Sequence, residues 1–231
     1  MKTGQVTIIF SVMLLCSTAV VAAAEHRIEP GDGANERLLE ALIMAEQGDT
    51  VVIGAGRYDL TEGLSLAVDG VTVRGEGPDA TILSFKGQTA SGEGLLVTSN
   101  KVVLEDFAVE DSKGDGVKSK GSDQITFRNL RVEWTGGPKA ENGAYGVYPV
   151  SSKNVLIEGV TVRGASDAGI YVGQSENIIV RNSVAEYNVA GIEIENTTDA
   201  EVVDNVAFDN TAGILIFNLP GPEIQGGERT L

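Results

Sequence analysis

Cysteine and histidine are nearly absent from this sequence, which carries one of each in 231 residues. The cysteine, Cys16, stands inside an apolar run from Val6 to Ala23, preceded by the positive charge of Lys2 and followed by Ala24 and Glu25. That pattern predicts a signal peptide over residues 1–24, cut after Ala24, and hence export to the periplasm or beyond the cell. A run of this length could also span a bilayer, but the small residues Ala22, Ala23 and Ala24 favour cleavage, which leaves no stable membrane anchor. Leu15 is too bulky for the residue before a lipidated cysteine. Once cut, the chain has no thiol, which excludes a disulfide framework and thiol chemistry. The histidine, His26, falls two residues past the cut, where a frayed terminus is expected. That position excludes a histidine-centred mechanism.

Positive charge is also scarce. Lys and Arg number 17 against 33 Asp and Glu, a formal net charge of −16. Such a surface disfavours nucleic acid and anionic membranes as partners. It equally disfavours broad contact with a polyuronate chain, unless divalent cations bridge the two. Proline is held to 6 residues while glycine reaches 29, without a collagen period, so the chain makes many tight turns. No glycine-rich phosphate loop leads from a strand into a helix.

What the sequence does have is a repeat. A glycine followed by apolar, variable and apolar residues recurs at Gly94, Gly116, Gly146, Gly169, Gly191 and Gly213, in steps of 22, 30, 23, 22 and 22. A second column, Leu104, Phe127, Ile157, Val180 and Val203, follows the same period. Strands of three to five residues cannot pack alone, but coils stacked about 4.8 Å apart pair each strand with its equivalent and pile the inward side chains into one core. The pattern therefore predicts an all-β fold, a single-stranded right-handed parallel β-helix of about seven coils over residues 25–221, with a short tail at 222–231.

Other columns refine this. Corner positions read Asp106, Asn129, Gly159, Asn182 and Asn205, residues that tolerate left-handed backbone. An outward column alternates in sign, as Glu105, Arg128, Glu158, Arg181 and Asp204, which stabilises neighbouring strands. Another, Val103, Thr126, Leu156, Ile179 and Val202, is apolar; it marks either a covered face or a register error. Residues 34–47 carry Leu38, Leu39, Leu42 and Ile43 on one helical face, a helix that would close the first coil, with Thr50 opening the first strand. No second cap follows Phe217. Either the tail folds over the last coil, or another chain associates with it, or further coils belong there.

The strings GAYGVYPV from Gly143, SDAGIYVGQSENIIV from Ser166, EYNVAGIEIEN from Glu186 and AGILIFNLPG from Ala212 resemble a family of exported bacterial parallel β-helix repeat proteins. The helix with GDTVVIGAGRYDL from Gly48 is similar to the amino-terminal capping unit of the wider pectin-lyase-like superfamily. The resemblance implies the β-helix fold and an extracytoplasmic address, but no single activity. The superfamily contains polysaccharide lyases, epimerases and hydrolases as well as proteins without catalysis. Members of the family continue past the NLPG string, so this chain resembles a carboxy-terminally truncated one.

Candidate chemistry gathers beside the glycine-led strands. The extra residues of the 30-residue step, Trp134 to Tyr145, should overhang that sheet, and longer loops carry function more often than tight turns. The outward residues there run Leu96, Lys118, Tyr148, Tyr171, Glu193 and Leu215. Tyr148 and Tyr171, flanked by Lys118, Glu193 and Trp134, read either as a sugar-binding platform or as an ordinary cross-strand aromatic pair. Acidic residues near the rim are Asp111, Asp115, Glu141 and Asp167. A lyase built here would use Lys118 or Tyr171 as base, with Glu193 a further catalytic candidate, and Asp115, Asp167 or Glu141 as Ca²⁺ ligands. The spacing shows no compact calcium loop, and no cofactor is required. The first expectation is thus a module or scaffold that binds a polysaccharide or a partner protein; the alternative is a polysaccharide lyase or epimerase acting on an acidic polysaccharide.

Overall fold

Strands this short can satisfy their backbone only against strands of other coils. In the computed structural model, which describes residues 23–90 and 92–219, they do so in three parallel sheets. Sheet A has eight strands: Glu25–Ile28, Thr50–Ile53, Thr72–Arg74, Val102–Glu105, Asp123–Arg128, Lys153–Glu158, Glu176–Arg181 and Thr198–Val203. Sheet B has seven: Gly56–Asp59, Thr81–Ser84, Ala108–Glu110, Arg131–Glu133, Thr161–Arg163, Val184–Glu186 and Val206–Phe208. Sheet C has seven: Leu64–Leu66, Leu95–Val97, Val117–Lys120, Val147–Val150, Ala168–Gly173, Ala190–Glu195 and Ala212–Phe217. The chain visits A, B and C in turn and winds a right-handed parallel β-solenoid of about eight coils. The signal-peptide reading of residues 1–24 falls almost wholly outside the described residues, as does the tail at 222–231.

The coil beyond the expected seven comes from Glu25–Ile28, which pairs with Thr50–Ile53 ahead of the strand expected first. His26 lies on this strand and is not frayed: its Nε2 is 2.9 Å from the buried carboxylate of Asp49. That carboxylate also accepts the backbone N–H groups of Glu46 and Ala24, and these bonds, with His26, hold its pKa down at about 2. The single helix among the described residues, Ala34–Met44, is three residues shorter than expected and seals the first coils with Leu38 and Leu42, both buried in the core. Ile43 does not share that face; it is 70% exposed. No described helix is long and apolar enough to cross a membrane.

The inward column holds through four coils. Leu104, Phe127, Ile157 and Val180 stack in register and are fully buried. The last coil departs from the expected register by one residue, because its step is 22 rather than 23. Val202, not Val203, lies against Val180, and Glu201 lies against Ile179. The left-handed corners follow the same step, at Asp106, Asn129, Gly159, Asn182 and Asp204. Asn205 instead accepts a hydrogen bond from the backbone of Ser183. The apolar outward column is therefore real from Val103 to Ile179, where each residue is half-buried, and ends at Glu201. The charge ladder is real too, with Arg128 against Glu105 (3.2 Å) and Glu158 (3.3 Å), and Arg181 against Glu158 (2.8 Å). It ends at Val203 rather than Asp204.

The glycines that lead sheet C have a steric cause. A methyl placed on Gly146 would sit 2.6 Å from the carbonyl oxygen of Gly169 in the next coil and 2.2 Å from Val162 Cγ1. The backbone of one coil packs directly on the next at this corner, so no side chain fits. In the last described coil no described residue lies within 4 Å of the same position on Gly213. There Ile214, Leu215 and Ile216 are exposed, whereas Ile192 and Ile194, one coil earlier, are buried.

Candidate functional site

Sheet C places its outward residues in the expected column. Lys118 pairs with Leu96 and Tyr148, and Glu193 pairs with Tyr171 and Leu215. The two tyrosines are not equivalent. Tyr171 lies flat along its own strand over Gly173, where an added Cβ would meet its ring carbon at 2.7 Å, and its hydroxyl donates to Glu195. Tyr145 covers its outer face, with centroids 4.4 Å apart and planes 22° apart. Tyr171 is consequently only 5% exposed. Tyr148 meets both other rings edge-on or tilted, at 4.9 Å and 4.7 Å, and Tyr145 and Tyr148 remain half-exposed. The aromatic surface open to a ligand is thus Tyr145 and Tyr148, with Tyr171 as their base.

Lys118 stands beside this surface, its Nζ 4.7 Å from the centre of the Tyr148 ring. The same ammonium contacts Asp115 at 3.0 Å and Glu93 at 3.1 Å. Burial works against its charge, but the two carboxylates outweigh burial and raise its pKa. Burial also pushes up the phenols of all three tyrosines, with Asp167 adding to the effect on Tyr145 and Glu195 to that on Tyr171. Glu193 is raised by burial first, then by the negative charges of Asp167 and Glu195. Lys118 is therefore held as an ammonium and the three phenols in their protonated, hydrogen-bonding form. The arrangement suits stacking and hydrogen bonding to hydroxyls; it supplies neither a neutral amine nor a phenolate to take a proton from carbon.

The remaining expected residues are dispersed. Trp134 turns inward, 5% exposed, and its Nε1 donates to the carbonyl of Ser112 at 2.7 Å, so it anchors the insertion instead of offering a ring to a ligand. Glu141 is exposed on the insertion, and Asp111 accepts bonds from the backbone and hydroxyl of Thr135. Asp115 is taken by Lys118 and Asp167 bonds to Tyr145. Asp115, Asp167 and Glu141 do not converge, and among the described residues no group of three or more His, Cys, Asp or Glu could hold a metal ion.

Three residues of the site escape the outward column: Tyr145, Glu93 and Glu195. A signal for the first two existed. Glu93, Asp115 and Tyr145 each stand immediately before a column glycine, a position that becomes Ala168, Ala190 and Ala212 in later coils. Glu195 is two residues beyond Glu193 on the same strand, and so shares its face.

Known proteins share this architecture. The A-module of the mannuronan C-5 epimerase AlgE4 from Azotobacter vinelandii superposes with a TM-score of 0.61 at 20% identity, covering 78% of this chain and 54% of that one. An alginate lyase from Paenibacillus sp. str. FPU-7 gives 0.55 at 17% identity, with 78% and 75% covered. Pectate lyase Pel9A gives 0.55 at 13% identity, with 86% and 69% covered. The chain thus spans about half the length of the epimerase module. At these identities the likeness is one of fold. No curated protein sequence matches the chain. The family model for the right-handed beta helix region matches residues 69–226, well over half of the sequence, and the chain belongs to that family.

Proposed function

We propose that this protein is a polysaccharide-binding β-helix, with the outward face of sheet C as its binding surface. The observation that carries the reading is the half-exposed pair Tyr145 and Tyr148, braced on the buried Tyr171 and flanked by Lys118. Rigid rings present stacking area at little entropic cost, and the phenols, the Lys118 ammonium and the carboxylates around them can hydrogen-bond sugar hydroxyls. Successive coils about 4.8 Å apart repeat such contacts along one line, as a chain of sugars requires. The fold's neighbours, named for mannuronan, alginate and pectate, act on polysaccharides, which agrees with this reading. Export, read from residues 1–24, would put the protein where such polymers are.

Binding is favoured over lyase or epimerase chemistry because Lys118 is held as an ammonium and the hydroxyl of Tyr171 is committed to Glu195. The face carries Glu93, Asp115, Asp167, Glu193 and Glu195 against one lysine, so neutral chains should bind better than polyuronates unless Ca²⁺ bridges the charges.

Affinity electrophoresis of the protein against neutral polysaccharides and polyuronates, with and without Ca²⁺, tests the reading. Retardation by at least one polymer is expected, lost in Tyr148→Ala and kept in Tyr148→Phe. No retardation by any polymer, or an unchanged Tyr148→Ala, would remove the proposal. Growth of ultraviolet absorbance from unsaturated ends on a polyuronate would replace it with the lyase reading.

A further inference from the structure

The insertion between sheets B and C builds a second surface, on residues separate from those of the sheet C face. It is the one long departure from the period of the later coils, since Val132 pairs with Val162, 30 residues on. It is also firmly held. Trp134 anchors one end, and Asn142 Nδ2 donates to the carbonyls of Gly137 (2.9 Å) and Gly164 (2.6 Å). Beneath it runs a groove of about 870 Å³, with Pro138 and Lys139 on one wall and Tyr187, Val189 and Asp209 on the other. A second space of about 410 Å³ adjoins it past Pro138 and Tyr187 and reaches Trp134.

Tyr187 is out of place by every local rule. Its φ is 59°, in the left-handed region, and of the fifteen non-glycine residues with positive φ among the described residues it is the only aromatic. The others are Asp, Asn, Gln, Ser or Lys, and five are Asn. A bulky side chain there is strained, and such strain persists where the surroundings or a function hold it. The ring is nonetheless 46% exposed, with the Phe208 ring edge-on at a centroid separation of 6.5 Å. It lines the groove.

The polar groups around it select the ligand. Main-chain donors on the wall are already used: Val189 N–H bonds to Asp167, Thr211 N–H to Asn188 and Ala212 N–H to Val189. An extended peptide could not add here as a strand. Three side-chain groups have no partner among the described residues, namely the Lys139 ammonium, the Asp209 carboxylate and the Thr211 hydroxyl. One positive and one negative charge beside an exposed ring match an uncharged ring that both donates and accepts hydrogen bonds.

We infer that the groove under the insertion is a binding site for a neutral sugar unit, stacked on Tyr187 and hydrogen-bonded by Lys139, Asp209 and Thr211. Trp134 is the only tryptophan of the chain and borders the adjoining space, so its emission reports occupancy. The probes are gluco-, manno-, xylo- and galacto-hexaoses, with a galacturonate hexamer for comparison. At least one neutral hexaose should change Trp134 emission saturably. Tyr187→Asn should weaken that binding about tenfold, while Tyr187→Phe and Tyr148→Ala leave it unchanged. Asn already occupies five such corners, so Tyr187→Asn should fold. The site is refuted if no neutral hexaose gives a saturable change, or if Tyr187→Asn binds like the parent. Tighter binding of the galacturonate hexamer would overturn the neutral class. Loss in Tyr148→Ala with Tyr187→Asn unaffected would transfer the signal to sheet C and refute the groove alone.

Discussion

Gly146→Ala adds one methyl group, and the structure says where it goes. The new Cβ would lie 2.6 Å from the carbonyl oxygen of Gly169 and 2.2 Å from Val162 Cγ1, with Val162 Cγ2 at 3.2 Å. Val162 is fully buried. The glycine carbonyl belongs to the next coil, so moving it strains the pairing of Val147 with Ile170. Overpacking of this kind costs about 1–3 kcal/mol, and two rigid obstacles place it near the top of that range. Stiffening the unfolded chain returns about 0.5 kcal/mol. The net loss of about 2.5 kcal/mol corresponds to a melting temperature lower by about 5–10 °C for a domain of this size. Gly213→Ala is the control, since no described residue lies within 4 Å of its Cβ; a change within about 0.5 kcal/mol is expected. Thermal and urea unfolding followed by circular dichroism measure both. Equal stability of Gly146→Ala and the parent, or equal damage from the two variants, would refute the claim that coil-to-coil backbone contact selects glycine.

Three further outcomes follow from other parts of the molecule. Tyr187→Asn removes an aromatic from a left-handed position, φ 59°, and should leave the melting temperature unchanged or higher; a clear drop would mean that the ring is structural. Glu158→Gln removes the partner of both Arg128 and Arg181, whose side chains are 45% and 43% exposed, so the loss should be no more than about 1 kcal/mol and should fade in high salt. Glu193 has a raised pKa in the folded state, so the folded state holds its proton more tightly than the unfolded state does. Its contribution is present below the ordinary carboxylate range and is lost as pH rises from about 4 through the raised value. Glu193→Gln should therefore be as stable as the parent at low pH and more stable at neutral pH. Urea midpoints that run parallel across this window would show that Glu193 is not perturbed.

The stack of Leu104, Phe127, Ile157 and Val180 was legible because a coil repeats the same environment at the same phase, so the residue types recur. The same logic failed at the last coil. A step of 22 and one of 23 both leave an apolar residue near the right place, and only the left-handed corner at Asp204 fixes which is used. Glu25–Ile28 was hidden because half its residues are charged and it precedes the first recognisable repeat. In the site, Lys118, Tyr148 and Glu193 were legible from alternation along strands. Tyr145 and Glu93 were not legible from alternation, because they lie two residues ahead of each strand, where the chain turns and alternation gives no direction. Trp134 reads as a platform by composition, but a long insertion also needs an anchor, and a large ring with one donor fills that role.

The binding face itself is tested most directly by amide chemical-shift mapping with a hexaose that the protein retains. Shifts centred on Lys118, Tyr148 and Glu193 along sheet C, in addition to any at Tyr187, are expected. Shifts confined to sheet A around Val103 and Ile179, or none along sheet C at saturating sugar, would contradict the account.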